Sequence, residues 1–338
     1  MLAGSITFYH SIEMLFMKIL KKCLCLAWLL VAPWVLGQTW PSKPLRMIVP
    51  YTSGGGTDSV ARSLAQQLSK TWGVPVVVEN HPGAATIIGA DLVAKAPSDG
   101  YTLLFSDTAT FVINQHLYSK MPYRPLIDLA PIAEVVQLAP VLAISNSVPA
   151  NNIKEFIAYA RANPGKLSYA SFGSGSYPHV ISEQFKRMAN IDILHIPYKG
   201  SAAAVTDMMG GQLSMLMVTL SVFEQLEKAG KLKILATATE KRLSLRPDLP
   251  TIAEAGVPGY SANVWFGLAT TAGTPEVILD KVHSDTVKVL SDPSFVEKAI
   301  KSQSLEPIIT TRAEFANFLK NEEIRWGQLV RESGAKIE

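Results

Sequence analysis

From Leu45 onward, short apolar runs alternate with longer stretches of mixed polarity. "LRMIVP", "VPVVVE", "YTLLFS", "PVLAIS", "KLSYAS", "DILHIP", "SMLMV" and "LKILATA" are too short for helices and several are apolar on both faces, so they predict buried strands. The stretches between them carry a different period. Val60, Leu64, Leu68 and Trp72 recur every four residues and predict one apolar face of a helix. "NNIKEFIAYARANPG" opens on an asparagine cap and stops at Pro164-Gly165, so it predicts a second helix. Strand–helix alternation of this kind predicts α/β domains with largely parallel sheets covered by helices on both faces.

Two units repeat the order strand, Gly/Ser-rich turn, helix. They are "MIVPYTSGGGTDSVARSL" and "LSYASFGSGSYPHVISEQF", more than a hundred positions apart. That separation is too long for one small α/β unit, and it predicts two lobes that face each other across a cleft. Lobe one combines residues 40–137 with 265–338, and lobe two spans 138–264. The chain then crosses twice, near Ala139–Ile144 and near Asn263–Leu268, and these crossings are the expected hinge.

The chain has 338 residues, of which 48% are hydrophobic, and a net charge of +3. Basic residues are scattered and not interleaved with aromatics, which argues against nucleic acid as a partner. The N-terminus differs from the rest. Lys18, Lys21 and Lys22 precede an apolar stretch from Cys23 to Leu36, followed by Gly37. This is the layout of a secretory signal peptide over residues 1–37, with Met17 as an alternative start. A membrane anchor is the alternative, but the apolar stretch is short for a span of about 20 residues. Removal of residues 1–37 leaves 301 residues, a net charge of +1 and no cysteine. Disulfides, thiolate metal sites and a cysteine nucleophile are then excluded.

The turn after the first strand carries the most specific chemistry. Gly54, Gly55 and Gly56 precede Thr57 and Asp58 at the start of a helix. A helix start leaves about four N–H groups unpaired and carries roughly half a positive charge, so an anion is its natural guest. "GGGTD" lacks the lysine of a phosphate loop, and a carboxylate fits better. Asp58 is expected to orient the loop. A tight turn with no guest is the alternative.

The second turn supplies Ser171, Ser174 and Ser176 with Gly173 and Gly175, and His179 follows. A serine nucleophile would need a G-x-S-x-G elbow, and none is present. Tyr198, Lys199 and Gly200 sit at another strand end, as does Thr219. The six histidines of the chain show no metal-ligand spacing, so neither metal nor cofactor is expected. All these turns lie at the carboxyl ends of strands, where open α/β sheets bind ligands.

With these residues in view, the chain resembles the Bug family, the extracytoplasmic solute receptors of tripartite tricarboxylate transporters. "WPSKPLRMIVPYTSGGGTDSVAR", "VVVENHPGAATIIGADLVAKAPSDGYTLLF", "INQHLYSKMPY", "ANPGKLSYASFGSGSYPH", "HIPYKGSAAAVTDMMGGQ" and "RPDLPTIAEAGVPGY" carry the resemblance, in order, from Trp40 to the C-terminus. It implies a two-lobed periplasmic-binding-protein fold of the type II-like, Venus-flytrap kind with the ligand in the interdomain cleft. It also implies a monomeric, non-enzymatic receptor that hands a small carboxylated solute to integral-membrane permease subunits. The site positions it implies are Tyr51, Thr52, Ser53 and Gly55 to Asp58, then Ala84 and Ala85 within the turn Gly83–Thr86. Asp107 and Thr108, Ser171 to Ser176, and Tyr198 to Gly200 complete the set.

Three departures from the family pattern stand near this site. Thr52 and Ser53 replace two prolines, Ala85 and Thr86 replace two glycines, and Ser214, Val218 and Thr219 replace acidic and amide residues. They point to a solute smaller or more apolar than citrate. Two other functions keep a place beside transport: a sensor whose closed form is read by a membrane kinase, and a secreted hydrolase using Ser174 or Ser176.

Overall fold

The computed structural model describes residues 40–333 other than Lys199 and Asn263. The proposed signal peptide and Lys199 therefore lie outside the described residues. From Lys43 on, the chain forms one compact unit built on two sheets. All eight predicted strands are present. They are β1 (Leu45–Val49), β2 (Val76–Asn80), β3 (Thr102–Asp107), β5 (Pro140–Ser145), β6 (Ser168–Ser171), β7 (Leu194–Pro197), β8 (Met215–Thr219) and β9 (Leu232–Thr237). Three others were not foreseen: β4 (Leu129–Leu138), β10 (Val264–Thr271) and β11 (Leu305–Pro307).

The first sheet has the order β11-β4-β10-β3-β1-β2, and the second β7-β6-β8-β5-β9. The sheets are mixed, which corrects the expectation of largely parallel pairing. β1 lies parallel to β2 and β3, and β6 parallel to β7 and β8. β10 runs antiparallel to both its neighbours, β3 and β4, and β5 does the same between β8 and β9. The reason lies in the crossings. β4 ends at Leu138 in one sheet and β5 begins at Pro140 in the other, with Ala139 alone between them. β10 brings the chain back beside β4, pairing Val264 with Leu138. Outgoing and returning strands that sit side by side must run in opposite directions.

Helix α1 (Gly56–Trp72) buries Val60, Leu64 and Leu68 of the predicted stripe, with Ala61 and Ala65 beside them, whereas Trp72 at its end is half-buried. It ends at Gly73, whose left-handed backbone (φ 69°) lets its N–H reach Ser69 O at 3.0 Å. Helix α2 (Ile87–Ala94) follows β2. In the second lobe, α3 (Ile153–Ala162) has the predicted cap, with Asn152 accepting from the Glu155 N–H. Helix α4 (Tyr177–Ala189) follows β6, and α5 (Ser201–Met209) follows β7. Helices α6 (Glu276–Leu290) and α7 (Arg312–Ser333) return to the first lobe. α7 covers β4 and also packs on α4 of the second lobe. Arg187 there pairs with Glu332, and Arg325 donates to Ser261 O at 3.3 Å. Among the described residues no helix is long and apolar enough to cross a membrane.

Candidate functional site

A cavity of about 430 Å³ lies where the carboxyl ends of β1, β3, β6 and β8 converge. That is within the range of small-molecule sites, roughly 300–1,000 Å³. Both lobes line it.

The first lobe contributes the turn after β1. Tyr51, Thr52, Gly55, Gly56 and Thr57 reach the cavity, whereas Ser53 and Asp58 do not. Asp58 acts as a buckle behind the turn. Its Oδ2 accepts from the Gly54 N–H and from Arg62 Nε, each at 2.9 Å, and its Oδ1 accepts from Asn80 Nδ2 at 2.9 Å. Asn80 also donates to Tyr51 O at 3.0 Å. Burial alone would raise the Asp58 carboxyl, but the hydrogen bonds from Arg62, Gly54 and Asn80 outweigh it and hold the group below the ordinary carboxylate range. Gly54 needs its left-handed φ of 86° to make this turn.

The second wall is the turn at 83–86. Ala84, Ala85 and Thr86 all have positive φ, at 44°, 48° and 82°. Such a run is strained for residues with side chains and persists only where the surroundings hold it. Here Asn114 Nδ2 donates to Ala85 O at 2.6 Å, and Thr110 Oγ1 donates to Thr86 Oγ1 at 2.7 Å. Ala85 and Thr86 line the cavity; Ala84, expected to do so, faces solvent.

Asp107, the last residue of β3, also lines the cavity. Its Oδ2 accepts from the Tyr51 hydroxyl at 2.6 Å and its Oδ1 from the Ala109 N–H at 3.1 Å. Burial pushes the carboxyl up to about 6, against the opposing effect of these bonds. Thr108 does not reach the cavity. Its hydroxyl is buried against β10, accepting from Trp265 N at 3.1 Å.

The second lobe supplies Ser174, Ser176 and Thr219 as expected. Ser176 Oγ donates to Gly173 O at 2.7 Å and accepts from Phe172 N at 3.2 Å, so it ties the turn before α4. Ser171 and Gly173 lie behind that tie rather than in the cavity, since Ser171 Oγ is buried 2.6 Å from His195 Nε2. Tyr198 is also turned away, its hydroxyl donating to Asp207 at 2.7 Å. Ser176→Ala should therefore weaken solute binding roughly 5- to 10-fold, the equivalent of about one net hydrogen bond, with little loss of fold stability. Titration calorimetry beside a thermal melt checks this, and unchanged affinity would remove the turn from the site.

His179 is not a base for Ser176. Its Nδ1 accepts from the Gly175 N–H at 3.2 Å, and its ring lies 4.3 Å from that of His195. Burial lowers His179 to about 4, so it remains neutral at physiological pH. The nucleophile–base geometry of a serine hydrolase is missing from both serines considered for it.

Other lining residues were not singled out from sequence. Phe172 and Tyr177 flank the serine turn, and Phe266, Gln303 and Leu305 arrive from the far end of the chain. Gln303 Nε2 donates to Ala299 O at 2.8 Å, and its Oε1 sits beside Gly56. Tyr177 was legible as the residue after a helix cap; the last three have no local signal. Among the described lining residues none is Lys, Arg or His, and Asp107 is the one carboxylic acid. No cluster of potential metal ligands occurs among the described residues.

Comparison with known proteins identifies the family and the fold. The family described as "Tripartite tricarboxylate transporter family receptor" matches residues 60–335. Protein BugT of Bordetella pertussis is 35% identical, covering 91% of this chain and 94% of that protein. A structure titled "R. palustris Rpa4515 with adipate" aligns with a TM-score of 0.82 at 33% identity, covering 88% of this chain and all of the other. The periplasmic binding protein BugD aligns at 0.78 and 33% identity, with the same coverage. Fold and sequence agree, and the chain belongs to the tripartite tricarboxylate transporter family of receptors, a Bug protein with the two-lobed periplasmic-binding-protein fold.

Proposed function

We propose that this protein is an exported, periplasmic receptor that captures a small carboxylate-bearing solute in its cleft and delivers it to a tripartite tricarboxylate-type membrane transporter. The observation that carries the reading is the convergence of helix starts from both lobes on one cavity. Gly55–Thr57 open α1 and Gly200–Ser201 open α5, and both segments line it. Preorganised N–H groups at helix starts satisfy a carboxylate without a buried arginine. Leu138, Val218, Val222, Phe172 and Phe266 supply apolar walls, suited to a solute with an apolar body. The adipate complex of the relative from R. palustris supports a carboxylate in this cleft. Because the walls belong to different lobes, a solute that touches both favours the closed arrangement in proportion to its better affinity for it.

A thermal-shift panel tests the reading. It holds mono- and dicarboxylates, tricarboxylates, aromatic acids and the matched neutral amides. A binding acid at a hundred times its Kd should stabilise the protein by about 2.7 kcal/mol, and its amide should not. Shifts for amides alone, or for no acid at all, would overturn the carboxylate assignment.

A further inference from the structure

One wall of the cavity, the turn at 83–86, rests on a backbone that its residues disfavour. Ala85 has φ 48° and ψ 49°, and Thr86 has φ 82° and ψ −11°. An L-residue resists the left-handed region by roughly five- to thirtyfold, and a β-branched side chain such as that of Thr86 resists it most. Without a tie this turn would relax, and the wall formed by Ala85 and Thr86 would move with it.

The tie comes from the helical residues that follow β3. Asn114 is fully buried and does not line the cavity. Its Nδ2 donates to Ala85 O at 2.6 Å and to Thr86 Oγ1 at 3.2 Å, so one amide group grips both strained residues that face the cavity. The other end of that amide, Oδ1, has no partner among the described residues. The side chain is thus seated for its donor end, at the cost of its acceptor. Thr110 reinforces the grip. Its hydroxyl donates to Thr86 Oγ1 at 2.7 Å and lies 2.5 Å from Ser106 Oγ, and the Tyr123 hydroxyl donates to Thr110 O at 3.2 Å. The platform is anchored in the core, since Phe111 packs against Trp265 and Phe315.

We propose that Asn114 is a positioning residue for solute capture. It does not touch the solute; it sets affinity by holding Ala85 and Thr86 in the left-handed backbone that shapes their wall of the cavity. This rests on the reading of the cavity as a carboxylate receptor. Glycine, which Ala85 and Thr86 replace in the family pattern, adopts such a backbone unaided. In this chain the side chains at the turn make the tie from behind a condition of binding.

The test is a double-mutant cycle, read by titration calorimetry with adipate and malate as probes and by a crystal structure of each variant. In the natural turn, Asn114→Ala should weaken binding of these acids tenfold or more and release Ala85 from its positive φ. In a chain that carries Ala84→Gly and Ala85→Gly, the same substitution should cost less than threefold and leave the turn in place. Asn114→Leu, which keeps the volume and removes the donor, takes its place if Asn114→Ala does not fold. A variant that folds only beside the two glycines supports the proposal, and failure to fold in both backgrounds would overturn it. Equal losses of affinity in the two backgrounds would reduce Asn114 to ordinary packing and overturn it as well. So would a released turn with unchanged affinity, because the turn would then have no part in capture. Silence from both acids in the unmodified protein would count against the carboxylate reading, and the turn geometry in the crystal structures would still decide the part played by Asn114.

Discussion

Trp265→Ala should destabilise the protein by about 3–5 kcal/mol, the usual cost of emptying a large aromatic site in a core. Trp265 is 1% exposed and sits on β10, packed against Phe111, Phe315 and Phe318 at centroid distances of 5.4, 5.6 and 5.5 Å. Space for these rings comes from Gly267, where an added Cβ would lie 2.9 Å from Phe315 and 3.1 Å from Trp265. The indole N–H finds no acceptor among the described residues, so the tryptophan holds its place by shape and area rather than polarity. Trp265→Phe should accordingly cost much less, under about 1.5 kcal/mol, because it keeps most of the apolar volume and discards an unpaired donor. Urea unfolding of both variants checks the contrast. Equal losses would mean that the indole N–H, and not the packing, carries the stability. Affinity should fall in the alanine variant as well, because the Trp265 N–H donates to Thr108, the residue after Asp107, and the neighbouring Phe266 lines the cavity.

Glu134→Gln should stabilise the protein at pH 8 and do almost nothing at pH 4.5. Glu134 lies on β4 at 6% exposure, and burial, with the nearby Glu322 carboxylate adding to it, raises its carboxyl to about 7. Glu322 is already engaged by Arg325 and by the Trp326 indole. A raised carboxyl means the folded state holds its proton more tightly than the unfolded state. Below pH 4.5 the group is neutral in both states and costs nothing. Between 4.5 and 7 the unfolded chain ionises while the folded one does not, so stability falls as pH rises. Above 7 the penalty is complete, on the order of 3 kcal/mol at 1.36 kcal/mol per pH unit. Glutamine is neutral throughout and escapes it. Melting curves at both pH values check the prediction, and an equal gain at each would assign the effect to packing.

Much of the fold was legible because each predicted strand is a short apolar run bounded by turn residues. β4 escaped because its run "LAPIAEVVQL" contains a proline, a glutamate and a glutamine, all tolerated inside the pairing. β10 was read only as a crossing, since "VWFGLATT" shows no apolar–polar alternation and carries a glycine in its middle. The parallel expectation failed for a reason no local window contains. Strand direction was decided by where the chain re-enters the first sheet, more than a hundred residues after it leaves. The site divides similarly. Gly55, Gly56 and Ser176 announce themselves by composition, whereas Gln303 and Leu305 are brought in by tertiary folding alone. Ser171 and Tyr198 carry suggestive hydroxyls, but His195 and Asp207 had already claimed them. Sequence lists candidate donors; only packing shows which are spent elsewhere.

The single residue between β4 and β5 has a mechanical corollary. Ala139 leaves almost no slack, and on either side of it the backbone is committed, Leu138 to Val264 and Pro140 to Thr219. If the lobes move relative to one another about this crossing, a joint this short confines the motion to few backbone torsions. One pair of spin labels, placed across the cleft on α1 and α5, then suffices as a gauge. Its distance distribution would count the conformers directly, and a solute would redistribute the peaks without moving them.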